Sequence, residues 1–124
     1  DDRWLWVQET VLSAARGAGI QAIDGPWLAI PDVAGFEASV RRARELGFDG
    51  KWALHPTQID LLNELFAPSP AEFAHAVRLL DALAQAERHE GRGAVLFDGV
   101  MIDEASRKHA QRIVAGGRAA GLQI

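Results

Sequence analysis

Three residues of types that do chemistry stand at the ends of short apolar runs: Asp24, His55 and Asp103. Asp24 leads into Gly25–Pro26, His55 into Pro56, and Asp103 closes the string FDGVMID. Polar residues placed where an extended run gives way to a turn gather at one rim of an α/β scaffold, where βα loops carry function. At such a rim the Asp24 carboxylate lines a ligand cleft, or it simply forms an Asp–Gly turn. The His55 imidazole reaches a ligand, or it hydrogen-bonds inside its own loop and holds the His–Pro turn. Asp103 is well placed to cap the helix that follows it. No metal ligand is assigned, because no second histidine stands at ligand spacing from His55. His75, His89 and His109 fall on predicted helices as surface or boundary residues.

The bulk composition narrows the classes further. The 124 residues suffice for one small domain with a modest core. Charged residues are 24% and hydrophobic ones 48%, ordinary values for a globular protein. A net charge of −4 gives no electrostatic case for nucleic acid. No apolar run approaches the roughly 18–20 residues of a membrane span, and no signal peptide is visible. Cysteine is absent, which excludes disulfides and thiolate catalysis and fits a cytoplasmic location.

The elements that must position these residues follow from periodicity. Trp4, Val7, Val11, Ala14, Ala15 and Ala18 recur at helical spacing, which predicts a helix over 3–18 with those residues inward. A short strand is predicted over 20–24. Asp32 caps a helix with Phe36, Val40, Ala43 and Gly47 on its apolar face. A second strand is predicted over 51–55 and a short helix over 57–66, with Ile59, Leu62, Leu65 and Phe66 inward. Ser69-Pro70-Ala71-Glu72 carries an N-cap serine, a proline at the first helical position and a glutamate at the third. That signal marks the chain's best boundary and opens a long helix ending near Gly91, with Phe73, Ala76, Val77, Leu80, Leu83 and Ala84 inward. An extended segment over 94–97, an Asp98–Gly99 turn and a terminal helix over 104–120 complete the order. Strands alternating with helices argue for parallel pairing. Two such strands make a poor independent core, so they read as part of a larger parallel barrel, with one apolar flank left uncovered. The start at Asp1, on a helical pattern with no strand before it, reads as a cut.

The combination AIDGP (22–26), GFDGKWALHPTQI (47–59) and GRGAVLFDGVMID (91–103), in this order and spacing, resembles the C-terminal part of the citrate lyase beta-subunit family, also called the HpcH/HpaI aldolases and including malyl-CoA lyases. The resemblance covers nearly the whole chain. It implies an α/β fold, a C-terminal fragment of a (β/α)8 TIM barrel. Residues 1–66 would be the closing part of the barrel, with its last two parallel strands and their helices. Residues 67–124 would be a helical C-terminal extension that packs on a neighbouring subunit. It implies a homo-oligomer whose substrates are an acyl-CoA thioester and a 2-oxo acid. It also implies magnesium-dependent carbon–carbon cleavage or formation, with magnesium carboxylates on strands that have no counterpart here.

Carried onto this chain, the resemblance makes Asp103 the catalytic residue, an acid or base at the acyl-CoA α-carbon acting in the adjacent subunit's site. Asp24, Gly25, Pro26, His55 and Pro56 become substrate-binding rim residues, with His55 touching the thioester or pantetheine arm. This chain alone is then expected to be inactive. A second reading is a binding or assembly fragment without catalysis. Lys51 reads as a strand-start residue at the stability end of its strand. Arg41, Arg42 and Arg44 read as a solvated face, and Gly91-Arg92-Gly93 as a flexible joint rather than a phosphate loop. Trp4 and Trp52 are expected in the core, Trp27 in a loop open to a ligand, and Trp6 exposed.

Overall fold

The computed structural model describes residues 2–91 and 93–123. Asp1, Ile124 and the Arg92 of the predicted joint lie outside the described residues. A 3-10 turn at Asp2–Trp4 leads into α1 (Leu5–Gly17), followed by β1 (Ile23–Asp24), α2 (Val33–Leu46) and β2 (Gly50–Lys51). A 3-10 turn at Pro56–Gln58 precedes α3 (Ile59–Phe66), and then come α4 (Pro70–Glu90), β3 (Val95–Phe97), β4 (Val100–Ile102) and α5 (Glu104–Ala119). The chain divides into two compact units, Asp1–Phe66 and Ala67–Ile124.

In the first unit β1 and β2 pair in parallel, Ile23 with Gly50 and Asp24 with Lys51. The pairing is extended by Asp49 N–H donating to the Ala22 carbonyl (2.9 Å) and Trp52 N–H donating to the Asp24 carbonyl (3.0 Å). The second strand therefore lies at Gly50–Lys51 and not over 51–55, and residues 52–55 leave the ladder. Successive side chains alternate faces, so Ala22 and Asp24 turn inward while Ile23 turns out. The core forms on the inner face in two clusters: Ala15, Ala22, Ala43 and Phe48, then Phe36, Val40, Leu62 and Leu65. Asp32 caps α2 by accepting from Gly35 N–H at 2.9 Å.

Helix α1 uses a different face from the one its periodicity suggested. Leu5, Gln8, Leu12 and Ala15 look toward the unit's interior, while Trp4, Val11, Ala14 and Ala18 are exposed. The reason is polar: Gln8 is drawn inward by its hydrogen bond to Asp24, which the hydrophobic count ignores. Trp4 and Trp52 are not core residues, since each is 66% exposed. Ile59 is exposed too, because the residues of α3 that turn inward are Leu62 and Leu65. Ile23 and Trp52 fall on the same outer face of the strand pair and leave it an exposed apolar surface, and Ile20, Leu28 and Leu54 are exposed as well.

The second unit is built on α4 packed against α5, with Phe73, Ala76, Leu79, Leu83, Ala110 and Val114 buried together with Ile102 of β4. Ser69 accepts from Glu72 N–H while Glu72 accepts from Ser69 N–H, closing the capping box on α4. Gly91 caps its other end in the left-handed region. The region after α4 is not purely helical. Val95–Phe97 and Val100–Ile102 form an antiparallel hairpin, because Asp98 and Gly99 both take positive φ (49° and 79°) and make the tight turn that suits right-handed strand twist.

Two adjacent glycines of α5 give a test of this packing. A Cβ on Gly117 would stand 2.3 Å from the Phe73 ring, whereas one on Gly116 would meet Pro68 at an ordinary 3.5 Å. Gly116→Ala is expected to raise stability by about 0.5–1 kcal/mol through helix propensity. Gly117→Ala is expected to lower it, overpacking costing roughly 1–3 kcal/mol against that same gain. Urea unfolding of the two variants reads the opposite signs.

Candidate functional site

Asp24 is the most constrained of the candidate residues. The Lys51 ammonium lies 2.6 Å from its Oδ2, and the Gln8 amide donates to its Oδ1 at 3.0 Å. The side chains of Lys51 and Asp24 are only 4% and 9% exposed. This carboxylate has both oxygens committed, so it anchors the rim and does not stand open in a cleft. Lys51 also corrects its predicted place: it closes β2 and pairs in register with Asp24, at the C-terminal end of the strands. Sequence reasoning missed this lysine. Nothing local in the sequence pairs it with Asp24, because Asp24 ends its apolar run while Lys51 begins its own; only the register brings them together.

The two loops that leave these strands are tied together a second time. Gln58, 3% exposed, accepts from the N–H groups of Leu54 (2.8 Å) and His55 (3.3 Å). Its amide donates to the Trp27 carbonyl at 3.3 Å. Gly25, Pro26 and Trp27 after β1 are thereby held beside Leu54, His55 and Pro56 after β2. Trp27 is half-buried and donates to the Ala29 carbonyl, and a Cβ on Gly25 would meet open space. His55 itself is exposed, with extended backbone, and caps the turn that Pro56 begins. Its Nδ1 accepts from Thr57 N–H at 3.3 Å and lies 2.9 Å from the Thr57 hydroxyl. The ring is thus held within its own loop while the residue stays exposed. A neighbouring groove is lined by Ile30, Val33, Glu37, Thr57, Asp60 and Glu64; its acidic groups repel polyanions.

Asp103 belongs to the other unit and is an N-cap. Its Oδ1 accepts from Ala105 N–H (2.9 Å) and Ser106 N–H (3.1 Å), with the Ser106 hydroxyl at 3.4 Å. All three contacts fall on one oxygen. Among the described residues Oδ2 has no hydrogen-bond partner, and the residue is exposed. One oxygen fixes the side chain and the other is presented, so capping and chemistry are compatible in one carboxylate. At the turn end of the hairpin, His75 stacks obliquely on Phe97 with ring centroids 5.4 Å apart. Among the described residues no three His, Asp or Glu side chains converge as a metal site.

Replacing Lys51 with Met strands a buried carboxylate, and such a change costs roughly 3–5 kcal/mol. Asp24→Asn in the same chain removes the stranded charge and is expected to recover most of that loss. Denaturant midpoints of the single and double variants check the coupling.

Residues 5–56 match the family described as HpcH/HpaI aldolase/citrate lyase. The L-malyl-CoA/beta-methylmalyl-CoA lyase of Cereibacter sphaeroides is 42% identical over 113 residues, 91% of this chain and 35% of that protein. The citrate lyase subunit beta of Escherichia coli K12 is 38% identical over 119 residues, 96% of this chain and 39% of that protein. The chain thus spans somewhat over a third of the length of these curated relatives. The crystal structure of CitE from Mycobacterium tuberculosis, in complex with magnesium, acetoacetate and coenzyme A, superposes with a TM-score of 0.72 at 36% identity, covering 90% of this chain and 40% of that one. A citrate lyase from Burkholderia xenovorans shares the fold, with a TM-score of 0.73 at 23% identity. The chain is thus similar to members of the HpcH/HpaI aldolase/citrate lyase family over nearly its whole length, and the family's own match lies in residues 5–56.

Proposed function

We propose that this chain is the C-terminal part of a carbon–carbon lyase that makes or breaks a hydroxyacyl-CoA thioester from an acyl-CoA and a 2-oxo acid. The observation that carries the reading is the divided Asp103 carboxylate. Oδ1 is held by the first turn of α5, and Oδ2 is presented without a partner among the described residues. A carboxylate so positioned can take a proton from the acyl α-carbon, or return one, when that carbon comes within hydrogen-bond reach. The rim after β1 and β2 would receive the thioester, with His55 as its exposed polar contact and Gly25–Pro26 as its wall. The acetoacetate and coenzyme A bound in the CitE crystal structure support this substrate class.

Magnesium enters the reading only as an ion held by carboxylates other than those of this chain. Residues 1–66 act as the closing part of a (β/α)8 barrel, and the exposed apolar surface of Ile23 and Trp52 supports further strands beside them. Residues 67–124 act as the extension that brings Asp103 to a neighbouring subunit's site in a cytoplasmic homo-oligomer. That same exposed surface favours the second reading, an assembly fragment without catalysis.

Exchange experiments separate the two. The chain alone, given malyl-CoA and magnesium, is expected to show no turnover. Substituted for the matching third of the Cereibacter malyl-CoA lyase, it is expected to support cleavage. Asp103→Asn in that chimera is expected to lower kcat by about 10²–10⁴-fold, the usual worth of a positioned acid–base group. A folded chimera whose cleavage is indifferent to Asp103→Asn favours the assembly reading.

A further inference from the structure

We infer that Thr57 is a positioning residue for His55, fixing its imidazole with the ring proton on Nε2, so that the rim offers a hydrogen-bond donor to a carbonyl oxygen of the ligand and not a general base. The inference deepens the function proposed above and rests on it for the identity of the ligand. The geometry is specific. Thr57 N–H points at His55 Nδ1 from 3.3 Å, and a backbone N–H can only donate. That donor favours Nδ1 as the acceptor, but from 3.3 Å it holds the ring only weakly by itself. The Thr57 hydroxyl, 2.9 Å from the same nitrogen, can rotate its hydrogen toward the same lone pair and supplies the closer of the two contacts that hold it. Were the proton on Nδ1, the Thr57 N–H would face a hydrogen and lose its acceptor. The remaining ring proton then sits on Nε2, as in other histidines whose second nitrogen is set by a fixed partner.

The backbone beneath the ring is equally constrained. Gln58 accepts from both Leu54 N–H and His55 N–H, and Gln58 N–H donates to the His55 carbonyl at 3.0 Å. Gln58 also reaches the Trp27 carbonyl. His55 is exposed while the residue that fixes its main chain is buried. The imidazole edge that meets a ligand is therefore a donor with little freedom to exchange tautomers. An acyl-CoA offers two kinds of oxygen acceptor, the amide and thioester carbonyls of its pantetheine end and the phosphates of its nucleotide end. Asp60 and Glu64 in the adjoining groove repel phosphate, which points to the carbonyl end.

Heteronuclear NMR of the ring nitrogens in the full chain reads the tautomer directly and without turnover. The expected spectrum has His55 Nδ1 at an acceptor position and Nε2 at a protonated one. Thr57→Ser keeps the hydroxyl and is expected to preserve that pattern. Thr57→Ala is expected to shift both nitrogens toward tautomer-averaged values. A wild-type ring that is already averaged or protonated at Nδ1 overturns the inference, and so does a Thr57→Ala chain with unchanged ring signals. Titration with pantetheine, and separately with ADP, identifies the acceptor. A shift of the Nε2–H signal with pantetheine is expected. A shift with ADP alone, or with neither at millimolar concentration, overturns the carbonyl assignment. Failure of the lyase chimera to turn over bears on the proposed function and leaves the tautomer measurement intact.

Discussion

Two opposite charges taken out of water sit across a strand pair only two residues long. Neither Lys51 nor Asp24 tolerates that burial without the other, and the second carboxylate oxygen still needs the Gln8 amide. This requirement sets three things together. It fixes the parallel register, Asp24 opposite Lys51. It turns the Gln8 face of α1 inward. It also points Ile23 outward, since one residue of slip would reverse every side chain on the strand. Such short strands contribute few ladder bonds, so side-chain and loop contacts must carry the register. The pair does so from within. At the edge Asp49 does so by accepting from Ala22 N–H and from Arg16.

The rim loops inherit their positions from that register. Once β1 and β2 end side by side, Trp27 and Leu54–His55 lie close enough for one buried glutamine to bond both. Burial of Gln58 means that its amide groups must be satisfied, and the two loops are its partners. The candidate rim is thus held by polar groups more than by apolar contact. His55, Gly25 and Pro26 can remain open because the residues behind them are tied.

The second unit reaches a similar end by local means. Its helices start and stop on their own signals, the capping box at Ser69 and the aspartate at position 103. The hairpin needs two consecutive positive-φ residues, which Asp98–Gly99 provides. Ile102 of that hairpin enters the α4–α5 core, so the residue just before Asp103 is anchored and the capping carboxylate starts from a fixed point. A catalytic role for Asp103 would use this rigidity.

The sequence by itself determined the features whose causes are local. The caps at Asp32, Ser69 and Asp103, the turn at Asp98–Gly99, the inward faces of α2 and α4, and the family resemblance carried by AIDGP, GFDGK and MID were all legible, because each depends on residues within one or two turns of chain. The tertiary structure decided the rest. Lys51 reads locally as a strand start, Asp24 as a cleft carboxylate or an Asp–Gly turn, and Trp4 and Trp52 as core residues; the register instead joins Asp24 and Lys51, 27 residues apart. Apolar periodicity ranks faces by hydrophobicity alone, and in this chain a buried ion pair, satisfied by a glutamine, outweighed two tryptophans in choosing which side faces in.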